Sequence, residues 1–236
     1  MALRALRKTP SQIRFETIYH AIRQRICLGH YPPGAALMEQ ELASEFNVSR
    51  TPVRRVLTRL ESEGLIESRH GAGTFVTRID VELLSEAYQF RMALAALAGQ
   101  LSPIRPDAAF LAQFEELLGE CEAAKQAGTL ERFGILNMRF SQLCYQLIGN
   151  RPLQRISEQL YFLTSRIMLE LTPSDKLEAE FDFFILEIRE VLSALRIGDM
   201  EAHGYIRRAH LSMNVTRLML YKQAAGEMAP KRLVAG

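Results

Sequence analysis

The stretch Val48-Ser49-Arg50-Thr51-Pro52-Val53-Arg54-Arg55 constrains this chain more than any other. Ser49 is a natural N-cap, because its hydroxyl can accept a hydrogen bond from a free amide of a first helical turn. Pro52 falls inside that turn, where its missing N–H removes no helical bond. Val53, Val56, Leu57 and Leu60 then recur at the spacing of one buried helix face. Thr51, Arg54, Arg55 and Thr58 fall on the opposite face. A short helix that is cationic and free of acids on its outer side suits a groove lined with phosphates and base edges.

The surroundings of that helix predict a small domain. Ile13, Ile18, Ile22 and Ile26 have helical spacing, and Gly29 with the turn Tyr31-Pro32-Pro33-Gly34 ends the helix they mark. A short second helix is predicted over 39–46, with Leu42, Ala43 and Phe46 apolar, followed by a tight turn at Asn47-Val48. The helix over 49–63 meets Gly64 as its C-terminal cap. Two strand-like pieces, 65–68 and 74–77, flank Arg69-His70-Gly71-Ala72-Gly73, whose two glycines predict a hairpin. Three helices and a terminal hairpin over 11–78 make a winged helix-turn-helix. Residues 1–10, with Arg4, Arg7 and Lys8 and no long apolar core, read as a disordered basic arm rather than a secretory signal.

From about Asp80 the strand signal disappears. Six helices are predicted over 80–101, 106–126, 129–149, 152–171, 175–197 and 199–224. The fifth is the clearest, with Phe181, Phe184, Ile185, Ile188, Val191, Leu192 and Leu195 on one stripe. The fold class is therefore mainly α: a winged module with a small β-hairpin, then a helical bundle over 79–225 and a mobile tail over 226–236. At 236 residues, each part can bury its own core. No run of about 18 apolar residues exists, so no transmembrane helix is expected. Cys27, Cys121 and Cys144 lack CxxC spacing and read as buried reduced thiols of a cytoplasmic protein. The net charge of +2 is unevenly spread, +5 over residues 1–78 and −3 over the rest, which fits nucleic-acid binding by the first part alone.

The residues of the first part also resemble a known family. Pro33-Gly34, Leu42-Ala43, Val48 to Arg54, Leu57, Leu60, Glu63-Gly64-Leu65 and Gly71-x-Gly73-x-Phe75-Val76 look like the GntR-family DNA-binding domain. The helical part is similar to the FCD-type ligand domain of the FadR subfamily, on its helix count, Arg91, Gly149-Asn150, Ala194-Leu195-x-x-Gly198-Asp199 and His210-Leu211. The resemblance implies a transcription factor, most simply a repressor. It implies a homodimer on a short palindromic operator of double-stranded DNA, and a small-molecule effector in the helical domain. It also places the DNA contacts. Gln40 touches backbone or base; Ser49 and Thr51 bind phosphate; Arg50 and Arg54 read guanine edges. His70 and Gly71, at the wing tip, enter the minor groove. Arg55 stands where the family usually has an acid, and adds a cation for the phosphates.

Many FCD domains hold a metal with one Asp and three His, and this chain departs from that set. The corresponding positions are Asn137, Ser141, Ile188 and His210, so only His210 remains of the expected ligands. Amide and hydroxyl groups are poor ligands for a divalent transition metal and Ile188 is none, so no metal and no cofactor are expected. Arg91 lies in the apolar stripe of its helix among Leu84, Ala87, Leu94, Ala95 and Ala98. A buried guanidinium needs a partner, either an anion on an effector or an acid from a neighbouring helix, unless its tip reaches water. Asn137, Ser141, His210 and Asn214 are candidates to line the same cavity, for an organic acid or a less polar metabolite. His203 is a weaker candidate, expected at the surface.

Three other classes compete. A DNA-binding dimer without effector uses the helical domain only to dimerise. A metal-dependent ligand domain follows if the ligand positions are misaligned. An enzyme lacks support: no nucleophile–base pair, glycine-rich phosphate loop or HExxH is present, and the five histidines do not cluster with acids.

Overall fold

A computed structural model describes residues 9–78 and 81–226. The chain divides into two compact units, Met1–Ile79 and Asp80–Gly236. The basic arm expected over 1–10 and the tail expected over 226–236 fall almost wholly outside the described residues. Thr9 and Pro10 are described, and they correct the arm's end. The Thr9 side chain caps a helix by accepting from the Gln12 amide at 3.2 Å, and the Gln12 side chain accepts from the Thr9 amide at 2.8 Å. Helix α1 (Pro10–Cys27) thus starts with proline at its first position.

In the first unit α1, α2 (Glu39–Glu45) and α3 (Arg50–Ser62) pack around Ile18, Ile22, Ile26, Leu42, Val53, Val56 and Leu60, all buried. Ile13, read with that stripe, is instead exposed. Asn47 turns the chain between α2 and α3 in the left-handed region, with φ 51°. Gly64, with φ 77°, ends α3; the amide after it bonds back to Leu60 at 3.0 Å, closing a Schellman-type cap. Tyr19 ties α1 to the end of α3 by donating to Glu63 at 2.7 Å beneath the Arg59 guanidinium. The wing is an antiparallel pair, β1 (Ile66–Arg69) and β2 (Gly73–Val76), in the register Ile66↔Val76 to Arg69↔Gly73. A third segment joins it: Ala36 bridges Phe75, and the amides of Gly34 and Leu37 donate to Val76 and Thr74. The segment between α1 and α2, read from sequence only as a turn, therefore also fixes the base of the wing.

The second unit contains α4 (Val81–Ala98), α5 (Ala108–Ala124), α6 (Leu130–Gln146), α7 (Arg151–Leu171), a 3-10 turn (Ser174–Lys176), α8 (Leu177–Arg196) and α9 (Met200–Ala224). Each break falls at a proline or glycine named from sequence. Asp107, Thr129, Asn150 and Asp199 cap the helices that follow by accepting an amide in the first turn. The α8 stripe is wholly buried. Its Phe181 and Phe184 meet Phe133 of α6 edge-on at 5.0 and 5.5 Å, and Phe140 continues the cluster to Phe114 of α5. A bridge between Pro103 and Ile148 pins the α4–α5 link to the end of α6. Helices α4 and α9 cross at Gly99 and Gly204, where backbones approach too closely for side chains. All three cysteines are buried free thiols, and burial pushes Cys121 and Cys144 up to about 12.

Candidate functional site

Ser49 occupies the N-cap position of α3 in extended conformation, but its side chain makes no cap hydrogen bond. That corrects the sequence expectation, and the cause is local. An N-cap hydroxyl accepts from the second or third amide of the helix; the third residue is Pro52, which has none, so one of the two usual donors is missing and the Thr51 amide does not replace it. The Ser49 hydroxyl therefore remains at an exposed helix start, beside exposed Arg50 and Thr51. Arg54 projects one turn further and is 69% exposed. Its fork is held by Glu39 at the start of α2, with Nε and Nη2 each 2.9 Å from a carboxylate oxygen. Those hydrogen bonds, helped by the charges of Arg54 and Arg50, hold the Glu39 carboxyl below its ordinary range. Gln40 follows Glu39 and is exposed. Arg55 lies with its guanidinium 5.5 Å from the Phe15 ring of α1, so the extra cation is stacked as well as exposed. His70 and Gly71 form the exposed tip of the wing. Arg69 beside them stacks on Phe75 at 4.9 Å and pairs with Glu67. Neither Glu39 nor Arg69 was a sequence candidate. Glu39 is fifteen residues from Arg54 and meets it only through the helix-turn-helix geometry.

In the second unit Arg91, Asn137, Ser141, His210 and Asn214, the five residues predicted for an effector, line one cavity. They come from α4, α6 and α9. Arg91 is 7% exposed. Its Nη1 donates to Thr164 Oγ1 at 2.8 Å, and its guanidinium lies 4.9 Å from the Tyr88 ring and 5.5 Å from that of Tyr161. No carboxylate among the described residues pairs with it at the distance of the ion pairs found elsewhere. The acid foreseen for Arg91 from a neighbouring helix is therefore not the partner it has among the described residues. Tyr161 donates to Asn137 at 3.2 Å, and His210 Nε2 lies 2.6 Å from Glu190. Arg207 and Glu187 form a buried ion pair on the same cavity wall.

Beyond Arg91 and Arg207 lies a second, adjoining cavity that shares Arg91, Arg207 and Leu211 with the first. His203 lines it and is 2% exposed, which overturns its expected surface position. Burial, with a further contribution from Arg207, pushes its imidazole down to about 3, so it is neutral near pH 7.

The donor set does not fit a metal. Ile188 is fully buried and does not line the cavity; Glu187 beside it does, but its carboxylate is taken by Arg207. What remains is one imidazole engaged by Glu190, an amide and a hydroxyl, facing two guanidiniums that repel a cation. Among the described residues no group of three or more His, Cys, Asp or Glu is placed to hold an ion.

Comparison with known proteins agrees with this division. The profile "Bacterial regulatory proteins, gntR family" matches residues 14–76, and that of the FCD domain matches residues 86–213. The chain is similar to an uncharacterized HTH-type transcriptional regulator in an unstable DNA locus of Streptomyces ambofaciens, with 32% identity over 82% of this chain and 80% of that one. It is also similar to a probable D-xylose utilization operon transcriptional repressor of Paenarthrobacter nicotinovorans, with 29% identity over 81% and 82%. The structure of E. coli McbR/YncC shares the fold, with a TM-score of 0.77 at 23% identity over 89% of this chain and 98% of that one. Among the described residues no helix is long and apolar enough to cross a membrane. A winged helix-turn-helix with a cationic third helix, followed by a unit with six α-helices among the described residues, thus carries both family signatures, and the chain belongs to the GntR family of regulatory proteins, with an FCD domain as its second unit.

Proposed function

We propose that this protein is a cytoplasmic, homodimeric transcriptional repressor, without catalytic activity, whose operator affinity is set by a small anionic effector in the FCD cavity. The observation that carries the effector is Arg91. A guanidinium has five N–H donors, and this buried one has the Thr164 hydroxyl, the Tyr88 and Tyr145 phenols and two aromatic faces near it, while Glu187 on the same cavity wall pairs with Arg207 instead. A carboxylate on a ligand supplies the missing charge, with Asn137, Ser141, His210 and Asn214 offering further polar contacts. Repression is supported by the relative named as a repressor.

On DNA, Arg50 and Arg54 read guanine edges, while Ser49, Thr51, Arg55 and Gln40 hold the phosphates or sit beside them. His70 and Gly71 enter the adjoining minor groove. Two copies dock together when their half-sites lie about one helical turn apart. The effector acts by favouring one arrangement of the two copies over another, so its differential affinity sets the size of the response.

The test starts with selection of bound DNA sequences, followed by titration of the selected operator in the presence of organic acids. The proposal requires that at least one acid shift operator affinity, and that Arg91→Met abolish the shift without altering binding in its absence. Acids that raise the melting temperature of wild type and Arg91→Met equally would show that Arg91 is not the anchor. Stoichiometric zinc, nickel or manganese in the purified protein would overturn the metal-free reading.

A further inference from the structure

His203 and Ser157 are two polar groups of the second unit, among the described residues, whose burial nothing yet explains. Both ring nitrogens of His203 and the Ser157 hydroxyl are buried without a hydrogen-bond partner. The two side chains come from α9 and α7 and line the same cavity. Most other walls of that cavity are apolar: Leu94, Ala95 and Ala98 of α4, and Ile148. Leaving three polar atoms unpaired in such a setting is costly, because each has given up its hydrogen bonds to water. Buried polar groups left this way call for a partner that completes them.

Resting on the effector reading above, we infer that the FCD cavity has a second subsite, in which His203 and Ser157 bind a neutral hydroxyl-bearing end of the same effector whose carboxylate Arg91 holds. The chemistry of the two groups selects that class. A neutral imidazole offers one donor and one acceptor, and a serine hydroxyl offers one donor and two acceptors. An alcohol can satisfy both. A second carboxylate finds both guanidiniums of the wall engaged, Arg91 by the first carboxylate and Arg207 by Glu187, and only the two neutral groups beyond them. An ammonium is repelled by Arg91 and Arg207 on the shared wall. The depressed titration of His203 agrees, since it keeps the ring in its neutral form.

The probes are straight-chain carboxylates from propanoate to hexanoate and the same acids carrying a terminal hydroxyl. Their affinities are measured by calorimetry on the full chain. Wild type is expected to bind the hydroxylated acid of at least one length about tenfold more tightly than its plain counterpart. That preference is expected to vanish in Ser157→Ala and in His203→Leu, while binding of the plain acid persists. No hydroxyl preference at any length in wild type overturns the subsite and leaves the carboxylate reading intact. So does a preference that survives in both variants, as it would if ordered water alone completed these groups. Failure of every acid to bind wild type brings down both readings. Ser157→Ala, a small change, keeps the test decisive should His203→Leu fold poorly.

Discussion

Arg54 does not stand free above the recognition helix; Glu39 accepts from its Nε and Nη2. This fixes the guanidinium in one pose before DNA arrives, at the cost of a carboxylate near the phosphates. Arg54→Ala is therefore expected to abolish operator discrimination while leaving fold and oligomeric state unchanged by circular dichroism and sedimentation. Glu39→Gln has a different signature. It loosens Arg54 and removes a negative charge, so operator affinity falls several-fold while affinity for scrambled DNA rises. Gel-shift titrations of both DNAs at one salt concentration measure the ratio, and an unchanged ratio refutes the orienting role. His203 makes a second prediction at this scale. Its ordinary value of 6.5 is pushed to about 3 in the fold. Between those values the unfolded chain binds a proton that the folded chain refuses, so stability falls as pH falls. From near neutrality to about pH 5 the loss from this one group is about 2 kcal/mol. Urea unfolding of wild type and His203→Leu should show the shallower decline in the variant; parallel declines would mean that the ring is not held neutral.

The crossing of α4 and α9 is the tightest helix contact in the second unit, and it places Arg91 opposite Arg207 and His210. A Cβ on Gly99 would lie 2.2 Å from the Met200 carbonyl, and one on Gly204 would lie 2.9 Å from the Ala95 carbonyl. Both obstacles are backbone, so neither can rotate away. Gly204→Ala is expected to destabilise by about 1–3 kcal/mol, and Gly99→Ala by more. Gly119 on α5 is the control. Nothing lies within 4 Å of its added Cβ, and its φ is not positive. Gly119→Ala should then stabilise by up to about 1 kcal/mol through helix propensity alone. Urea titrations check all three, and equal effects would refute the packing argument. The same helix α4 shows why element boundaries were readable. Its apolar repeat is local, and glycines and prolines interrupt it where the backbone must turn.

At the scale of the molecule, one face of α4 carries exposed apolar side chains. Leu83, Phe90 and Leu97 recur every seven residues, and Leu101 and Ile104 carry the stripe into the following link; all are exposed. A seven-residue repeat is the seam by which helices pair, so this face is the candidate seam for the proposed second copy. Phe90→Asp with Leu97→Asp is expected to yield a monomer in analytical ultracentrifugation. It should also weaken operator binding by an order of magnitude or more, because two half-sites then bind independently. A dimer that survives the double substitution moves the interface elsewhere.

Much of this protein was legible before its structure. The three helices and hairpin of the first unit, the six helices of the second and the buried stripe of α8 follow from periodicity and from Gly and Pro, which act over a few residues. Asn137, Ser141 and His210 were reached through their match to family ligand positions, since Asn137 and Ser141 have no distinctive local pattern, and Arg91 through its place in an apolar stripe. Partners were a different matter. Glu39 opposite Arg54, Thr164 opposite Arg91 and Ala36 beside Phe75 join residues 15, 73 and 39 positions apart. A repeat says which face of a helix turns inward, not which side chain waits there. His203 shows the limit most clearly. With Arg207, His210 and Asn214 it has the spacing of an inner face and the composition of an outer one. Local pattern therefore decides where helices start, stop and turn inward. Only the packing of α4, α6, α7 and α9 against one another turns a polar stripe into a cavity wall, because burial belongs to the neighbours a residue acquires and not to the residue itself.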